Sequence, residues 1–378
     1  MEDILHLKKC KIIDVYKNKV KTDSLDEERD YFIKNKMMKY YKLIKEKENP
    51  NNSTIFMSDN KGEIYTCEFT KDNEVTKITN FGQMCNDSKY ILVDVIKSAK
   101  YDYYFSLNLN PCINIFKIKD NQNKKEIEIL QHINLKNNTT KSKYHKLFEL
   151  STENDDYLFI FGEEKIELWR KNKDNNNTNT NNIQYQREYI LNINNNINVN
   201  NEDNFIKNKI TNVFQVDDER LVVFNRDKLE FIYIKITKVN NNNSTIIEII
   251  NKVKVKGING QFEKINSFFI DKDYMFLGLA DSLVLVSVPY GEIIQIYRIG
   301  KVIEMKIINE QKDIVVYVET NENEYYFIKY KLIEYHGLIE EKRMKYDQWV
   351  YKFDFTQNGE IIAIYDIKGF ITLLNMNN

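Results

Sequence analysis

The stretch Trp349–Leu374, WVYKFDFTQNGEIIAIYDIKGFITLL, decides the fold of this chain. It consists of three short runs rich in apolar and β-branched residues, which are Val350–Phe355, Ile361–Tyr365 and Phe370–Leu374. The turn-forming segments Gln357–Gly359 and Asp366–Gly369 separate them. Short apolar runs bounded by Asn and Gly are typical of strands and not of helices. The stretch therefore predicts three strands joined by two tight turns.

The same rhythm recurs along most of the chain. The turn Asp59–Gly62 repeats the turn Asp366–Gly369, again with a strand on each side. Six further units with this rhythm precede the final one: Ser53–Phe69, Tyr90–Ile118, Lys146–Lys171, Asn212–Ile236, Ile265–Ile299 and Val302–Leu332. Seven such units predict an all-β chain that forms one seven-bladed β-propeller over residues 1–378, and seven blades of about 40–45 residues would need about 300 of them. Six blades is the alternative count, and an outer strand within Ile4–Val20 is expected to close the ring with the C-terminus.

The repeats resemble those of WD40 propellers. The resemblance rests on Asp59–Gly62 before Glu63, on Lys165–Trp169, and on Asn358–Gly359 followed by Asp366–Gly369. It is degenerate, because Arg170 follows Trp169 where the family has Trp-Asp. The resemblance implies rigid loops that bind protein partners, and no chemistry.

Two segments are predicted to lie outside the repeats. Residues 22–49 have the pattern of a helical insertion, with Ser24 and Glu27 as a capping box and a helix over Leu25–Lys47. Residues 172–208 are rich in Asn and are predicted to form a disordered low-complexity loop, as is the shorter tract Thr237–Thr245.

Composition excludes several classes of protein. The 55 Lys and Arg balance 56 Asp and Glu, so no overall basic field indicates nucleic acid. The N-terminus lacks an apolar signal segment, and no apolar run approaches the length of a membrane span. Four scattered Cys, without a CxxC pair, favour free thiols in a cytoplasmic or nuclear protein. With only 11 Gly and 3 Pro, Asn is expected to form many of the turns.

No motif for catalysis is present in the sequence. It contains no phosphate-binding GxxxxGK or GxGxxG, no HExxH and no GxSxG. The four His, at positions 6, 132, 145 and 336, are far apart and are predicted to be surface or edge residues. We therefore expect no enzymatic activity, no cofactor and no metal.

Two groups of residues are candidates for binding. Lys36, Lys39 and Lys42 on the predicted helix, beside Tyr40 and Tyr41, could contact nucleic acid through phosphates and base stacking. The alternative is a solvated Lys face on a helix that packs through its apolar side.

The second group is Arg226, Asp227 and Lys228, which follow a strand at what would be one rim of the propeller. An Arg–Asp pair at a rim can dock a protein partner through charge-assisted hydrogen bonds. The alternative is a solvated hairpin tip.

The segment Asn225–Glu230 also resembles part of the non-catalytic WD40 subunit of the eukaryotic tRNA (guanine-N7) methyltransferase. The preceding Asp217–Val223 and the following Phe262–Leu279 are similar as well, although Asn225 replaces an Asp of that family. The resemblance implies a methyltransferase catalytic subunit as partner, with tRNA nearby and Arg226, Asp227 and Lys228 as contacts. The alternative function is an adaptor in trafficking, ubiquitin ligation or cytoskeletal assembly that has no RNA role.

Overall fold

The structure is a computed structural model. It describes residues 11–14, 19–22, 38–45, 53–59, 61–69, 75–83, 91–121, 124–135, 143–153, 155–163, 165–172, 183–193, 209–239, 244–258, 266–308, 313–333, 337–346, 350, 352–355, 361–365 and 370–375.

All regular secondary structure in the described residues is β-strand. The strands form seven sheets, which we number as blades in chain order. Blade 1 contains β3 (Met38–Lys45), β4 (Ser53–Asp59), β5 (Glu63–Phe69) and β6 (Val75–Gln83). Blade 2 contains β7 (Leu92–Lys97), β8 (Tyr104–Asn108), β9 (Cys112–Asn121) and β10 (Lys124–Asn134). Blade 3 contains β11 (Tyr144–Ser151), β12 (Asp156–Gly162), β13 (Lys165–Lys171) and β14 (Tyr185–Asn192). Blade 4 contains β15 (Ile210–Gln215), β16 (Arg220–Asn225), β17 (Glu230–Val239) and β18 (Ser244–Lys254).

The remaining blades have the same order. Blade 5 contains β19 (Asn266–Phe269), β20 (Tyr274–Gly278), β21 (Leu283–Ser287) and β22 (Ile293–Tyr297). Blade 6 contains β23 (Lys301–Ile307), β24 (Ile314–Glu319), β25 (Tyr325–Ile333) and β26 (Gly337–Lys345). Blade 7 contains β27 (Lys352–Phe355), β28 (Ile361–Tyr365) and β29 (Phe370–Asn375), together with β1 (Lys11–Asp14) and β2 (Lys19–Thr22).

The chain is thus an all-β, seven-bladed β-propeller. In six blades four consecutive strands lie side by side, so each blade has an inner, a second, a third and an outer strand. Blade 7 takes its fourth strand from the N-terminus, where β1 pairs antiparallel with β29 and Ile13 lies opposite Ile371. The predicted closure by an N-terminal strand is confirmed, and β2 adds a fifth strand outside β1.

By internal contacts the chain divides into two compact units. Unit 1 comprises residues 1–92, 278–283 and 297–378, and unit 2 comprises residues 93–277 and 284–296. Blades 1, 6 and 7 belong to unit 1, and blades 2, 3 and 4 with most of blade 5 belong to unit 2.

In unit 2 the second strand of blade 3 supplies two hydrophobic cores. All seven residues of β12, Asp156–Gly162, are buried. Leu158 and Ile160 pack in a core with residues of blade 2, whereas Phe159 and Phe161 pack in a core with residues of blade 4. Alternate side chains leave opposite faces of a strand, and an apolar run without polar alternation is the sequence pattern of a strand covered on both faces.

In unit 1 a comparable core joins blades 6 and 7. Tyr317 and Phe327 of blade 6 pack with Phe353, Ile362 and Leu374 of blade 7, and each is at most 1% exposed. The rings of Phe327 and Phe353 meet edge to face, with centroids 5.2 Å apart. The stretch Trp349–Leu374 is therefore a packed blade, and its two turns lie outside the described residues.

The predicted helix over residues 22–49 is wrong where the structure describes the chain. Met38–Lys45 is the strand β3, which pairs antiparallel with β4, so that Leu43 lies opposite Ile55. The spacing of Met37, Tyr40 and Ile44 fits a helix, but Tyr40, Lys42 and Ile44 also fit the two-residue period of a strand. Pairing with β4 and burial of Tyr40 override the helical pattern. Residues 23–37 and 46–50 lie outside the described residues.

The predicted low-complexity loop over residues 172–208 also contains a strand. Tyr185–Asn192 is β14, the outer strand of blade 3, and Tyr185 is buried there. Part of the shorter tract Thr237–Thr245 likewise belongs to β17 and β18. Residues 173–182, 194–208 and 240–243 lie outside the described residues.

Deleting residues 346–378 should abolish cooperative unfolding. The deletion removes β27, β28 and β29, which exposes Tyr317 and Phe327 and leaves β1 without its partner strand. Burial of one such side chain stabilises a fold by about 2–3 kcal/mol, and the deletion disrupts the whole core that blades 6 and 7 share. The summed loss therefore exceeds the stability of an ordinary domain. Differential scanning calorimetry should show no unfolding peak. The control is deletion of residues 376–378, which leaves every described strand intact, and a cooperative transition in the longer deletion would contradict the prediction.

Candidate functional site

The turn that carries Arg226, Asp227 and Lys228 connects the second and third strands of blade 4. We call residues 226–229 the Arg226 turn. Asn225 and Glu230 lie opposite each other where β16 and β17 meet it. Arg226 Nε donates a hydrogen bond to Asp227 Oδ1 over 3.2 Å, and 18% and 28% of the two side chains are exposed. The pair is therefore accessible at the surface.

The conformation of the Arg226 turn is held by residues with buried side chains. Leu229 has a φ of 50°, in the left-handed region that bulky residues rarely adopt, and its side chain is buried. Its amide donates to the Arg226 carbonyl, and its own carbonyl accepts from Val255 N–H over 2.8 Å. Such a conformation persists only where the surroundings impose it, so the turn presents Arg226 from a rigid backbone.

Lys209, the residue before the first strand of blade 4, lies next to this turn. The Arg226 amide donates to the Lys209 carbonyl over 2.9 Å. The Lys209 amide donates to Oδ1 of the fully buried Asn225 over 3.3 Å. Two hydrogen bonds therefore connect the start of blade 4 to the turn between its second and third strands.

His145, near the start of β11, lies beside Lys209 through contact between the inner strands β11 and β15. Desolvation, then Lys209 and then Lys146 lower its pKa to about 4. Its Nε2 atom is buried and has no hydrogen-bond partner among the residues that the structure describes. At neutral pH this imidazole is uncharged and lies in a positive field.

The lysines of this region are also held away from their ordinary pKa. Partial desolvation and then the Arg226 guanidinium lower the pKa of Lys209. The residue is nevertheless exposed to solvent. Desolvation also lowers the pKa of Lys228, against the effect of Glu230. We call Lys209, Arg226 and Lys228 the cationic edge. Lowered pKa values of basic groups mean that an anionic group bound nearby would be favourable.

At the opposite end of blades 3 and 4, acidic and basic side chains form a network in which they pair with one another. Asp155 accepts from Lys238 over 2.6 Å and from Arg170 over 2.7 Å, and Arg170 also contacts Glu188. Burial alone raises the pKa of Asp155, but the hydrogen bonds from Lys238 and Arg170 outweigh it and hold the pKa at about 2. Opposite charges are matched here, so the network is best explained as a link between the two blades.

A second internal network surrounds the fully buried carboxylate of Glu167 in blade 3. Lys165 Nζ lies 3.0 Å from it, Trp169 Nε1 donates to it over 3.1 Å, and the Tyr144 hydroxyl donates to it as well. The Tyr144 ring passes Gly162, where a Cβ would lie 3.1 Å from Tyr144 Cδ1. The carboxylate has its donors within the blade, which favours a structural role.

The three lysines predicted to bind nucleic acid do not share a helical face in the described residues. Lys39 and Lys42 lie in the strand β3 and not in a helix. Lys36 lies outside the described residues. Contact of these lysines with nucleic acid stays a prediction, and so does partner binding by Arg226, Asp227 and Lys228.

Other expectations concern cysteines, metals and membranes. Cys67 and Cys112 are buried and are not joined by a disulfide, while Cys10 and Cys85 lie outside the described residues. Within the described ranges, no group of three or more His, Cys, Asp or Glu is arranged to hold a metal ion. A search of the same ranges finds no helix with the length and apolar character of a membrane span.

Comparison with solved structures identifies the fold type. The WD40 domain of coronin from Toxoplasma gondii matches with a TM-score of 0.56 and 9% identity, over 86% of this chain and 79% of that chain. The C-terminal WD40 domain of Sif2 matches with a TM-score of 0.54 and 11% identity, over 94% and 86%. Sqt1 from Chaetomium thermophilum, solved with the N-terminus of ribosomal protein L10, matches with a TM-score of 0.54 and 8% identity, over 90% and 96%.

The chain has the fold of a WD40 β-propeller. No protein-family profile matches the sequence, and no curated protein matches it significantly. Identities of 8–11% show the fold alone, so function has to be argued from the site.

His145 should make the stability of the protein depend on pH. Its pKa is about 4 in the folded chain against an ordinary value of 6.5, so only the unfolded chain takes up a proton between these values. The neutral imidazole of His145 therefore contributes to the free energy of unfolding in full above pH 6.5. This contribution is lost as the pH falls toward 4, and the free energy of unfolding is lower by about 2 kcal/mol at pH 5. Urea unfolding at pH 7 and about pH 5 should show this loss in the native chain and not in His145→Gln. Equal losses in the two proteins would contradict the prediction.

Proposed function

We propose that this chain is a non-enzymatic interaction subunit whose cationic edge docks an acidic segment of a protein partner. The single observation that carries the proposal is the accessible Arg226 side chain on a rigid turn, beside basic groups whose pKa values are lowered. An acidic group bound there gains the attraction of Arg226, Lys209 and Lys228, partly offset by Asp227 and Glu230. Little ordering of the turn is required.

The solved neighbours are consistent with this role. Sqt1 was solved with the N-terminus of a ribosomal protein bound, so a propeller with this fold can hold a segment of another protein. Loops on a rigid scaffold are where binding residues concentrate. The surface that Sqt1 uses is not transferred to this chain, and the choice of the cationic edge rests on its own residues.

A more specific proposal is that the partner is the catalytic subunit of a tRNA N7-methylguanosine methyltransferase. Its support is the resemblance of Asn225–Glu230 and the flanking segments to the non-catalytic subunit of that enzyme. The position of Arg226, Asp227 and Lys228 on an accessible turn fits the contact that the resemblance implies. An adaptor that has no RNA role is the alternative for the same surface.

The double substitution Arg226→Glu with Lys228→Glu should weaken partner binding, because it places negative charge against an acidic segment. Loss of two charge-assisted contacts is expected to reduce the amount of bound partner about tenfold or more. Quantitative mass spectrometry of tagged protein from its own cells measures the effect, and the native complex should also weaken with added salt.

The matched control is Arg220→Glu, at the other end of the same strand. Arg220 begins β16 and pairs with Asp217, much as Arg226 follows β16 and pairs with Asp227. Partners should be retained in this variant. Equal recovery of every partner by the native chain and the double variant would overturn the proposal.

Depletion of the chain distinguishes the two specific functions. A methyltransferase subunit predicts that tRNA N7-methylguanosine falls on depletion, and that a subunit binding S-adenosylmethionine co-purifies with the chain. Unchanged tRNA methylation would exclude this function. Ultraviolet crosslinking completes the test, since an adaptor should recover no tRNA.

A further inference from the structure

The outer strand of blade 5 differs from every other described outer strand in its lack of charge. Its sequence is IIQIY, residues Ile293–Tyr297, whereas each of the other six contains at least one Lys, Arg, Asp or Glu. Charged residues on an edge strand discourage pairing with another chain. β22 therefore lacks this protection.

The apolar side chains of β22 are also exposed. Ile294 is 54% exposed and Ile296 is 53% exposed, and they share one face of the strand because they are two residues apart. In the part of the chain that the structure describes, β22 is the last strand of its sheet, so its outward backbone groups face no further strand.

Charged residues at both ends of β22 make the segment self-complementary. Glu292 precedes the strand and Arg298 follows it, giving the continuous sequence Glu-Ile-Ile-Gln-Ile-Tyr-Arg. In an antiparallel pair of two copies centred on Gln295, Glu292 of each copy lies opposite Arg298 of the other. Ile294 of each copy then lies opposite Ile296 of the other. The two Glu–Arg pairs and the two Ile–Ile pairs all lie on one face of the joined strands.

We propose that two copies of this chain associate by antiparallel pairing of β22 with β22, around a two-fold axis at Gln295. The exposed isoleucines are covered by each other, and the charges at the two ends meet opposite charges. The same surface is used on both copies, so the assembly closes as a dimer.

Glu292 and Arg298 are available for this exchange. Glu292 pairs with Lys256 of its own chain over 3.1 Å, but their side chains are 59% and 66% exposed, and such a surface pair is weak. Arg298 is exposed and has no ion pair with another described residue.

The start of β22 is fixed before any partner binds. Gly291 has a φ of +66°, and a Cβ there would lie 2.2 Å from the Lys254 carbonyl oxygen. The Gly291 carbonyl accepts from Lys256 N–H over 2.7 Å, which connects the strand to blade 4. Pairing with a second copy therefore extends an ordered edge and needs little rearrangement.

Sedimentation velocity over a dilution series of the full chain tests the proposal. A reversible monomer–dimer equilibrium is expected, and Ile296→Lys should raise the dissociation constant about tenfold, because it disrupts two cross-strand pairs. Ile339→Lys is the control, since Ile339 is 50% exposed on the outer strand β26 of blade 6 and should leave the constant unchanged.

Charge exchange tests the register. Glu292→Arg alone places Arg opposite Arg298, and Arg298→Glu alone places Glu opposite Glu292, so each variant should dimerise about tenfold more weakly than the native chain. An equimolar mixture of the two variants should form a heterodimer, in which each end again has one Arg opposite one Glu.

Crosslinking tests the position of the two-fold axis. Gln295→Cys places two thiols opposite each other at the axis, at a distance that a disulfide can span. Mild oxidation should give a covalent dimer in this variant, and not in Ile339→Cys or the parent chain. A chain that stays monomeric at all concentrations would overturn the proposal, as would an open-ended assembly, a mixture that fails to associate, or a Gln295→Cys variant that reacts with a maleimide but does not crosslink.

Discussion

Burial of the middle strands on both faces is the constraint on which each blade depends. β12 sends Leu158 and Ile160 into one core and Phe159 and Phe161 into another, and every residue of β8 and β12 is buried. A four-stranded sheet with two apolar faces is not stable alone in water. It needs a neighbouring blade on each side. Blade 7 reaches the four strands of the other blades only with β1, which pairs with β29 at the edge of its sheet.

The same constraint decides which strands the sequence reveals. Middle strands such as Ile314–Glu319 are continuous apolar runs, so they and the blade count could be predicted. Outer strands are less buried and contain charged residues, as in Gly337–Lys345. The run of apolar residues that identifies a strand in the sequence is therefore missing. β14 was hidden in an Asn-rich segment for this reason. β3 was mistaken for a helix because its short apolar pattern fits both periods, and only its pairing with β4 decides between them.

The candidate site could be predicted only in part. The Arg226 turn follows from the apolar strands on its two sides and from its charged residues. Its left-handed residue could not be predicted, because Leu229 stands where Gly or Asn is expected; Asn323, with a φ of 59°, is a turn position where Asn does replace Gly. Pairing of β15 with β16 places Lys209 next to Arg226, although the two are not neighbours in sequence. His145 is more distant in sequence, and contact between the inner strands of blades 3 and 4 brings it beside Lys209. Periodicity within one segment contains no information about such contacts.

Pairing through β22 would have a consequence for binding at the cationic edge. A dimer would contain two Arg226 turns, one in each copy, and neither turn is part of the paired strand β22. Two weak acidic contacts could then be made by one assembly, provided that the partner presents two acidic segments within reach. The second contact would form at a high effective concentration and would strengthen binding without any new residue at the site. The two surfaces would recognise different partners: the cationic edge selects acidic groups, whereas β22 selects a second copy through its isoleucines and its backbone edge, with Glu292 and Arg298 fixing the register.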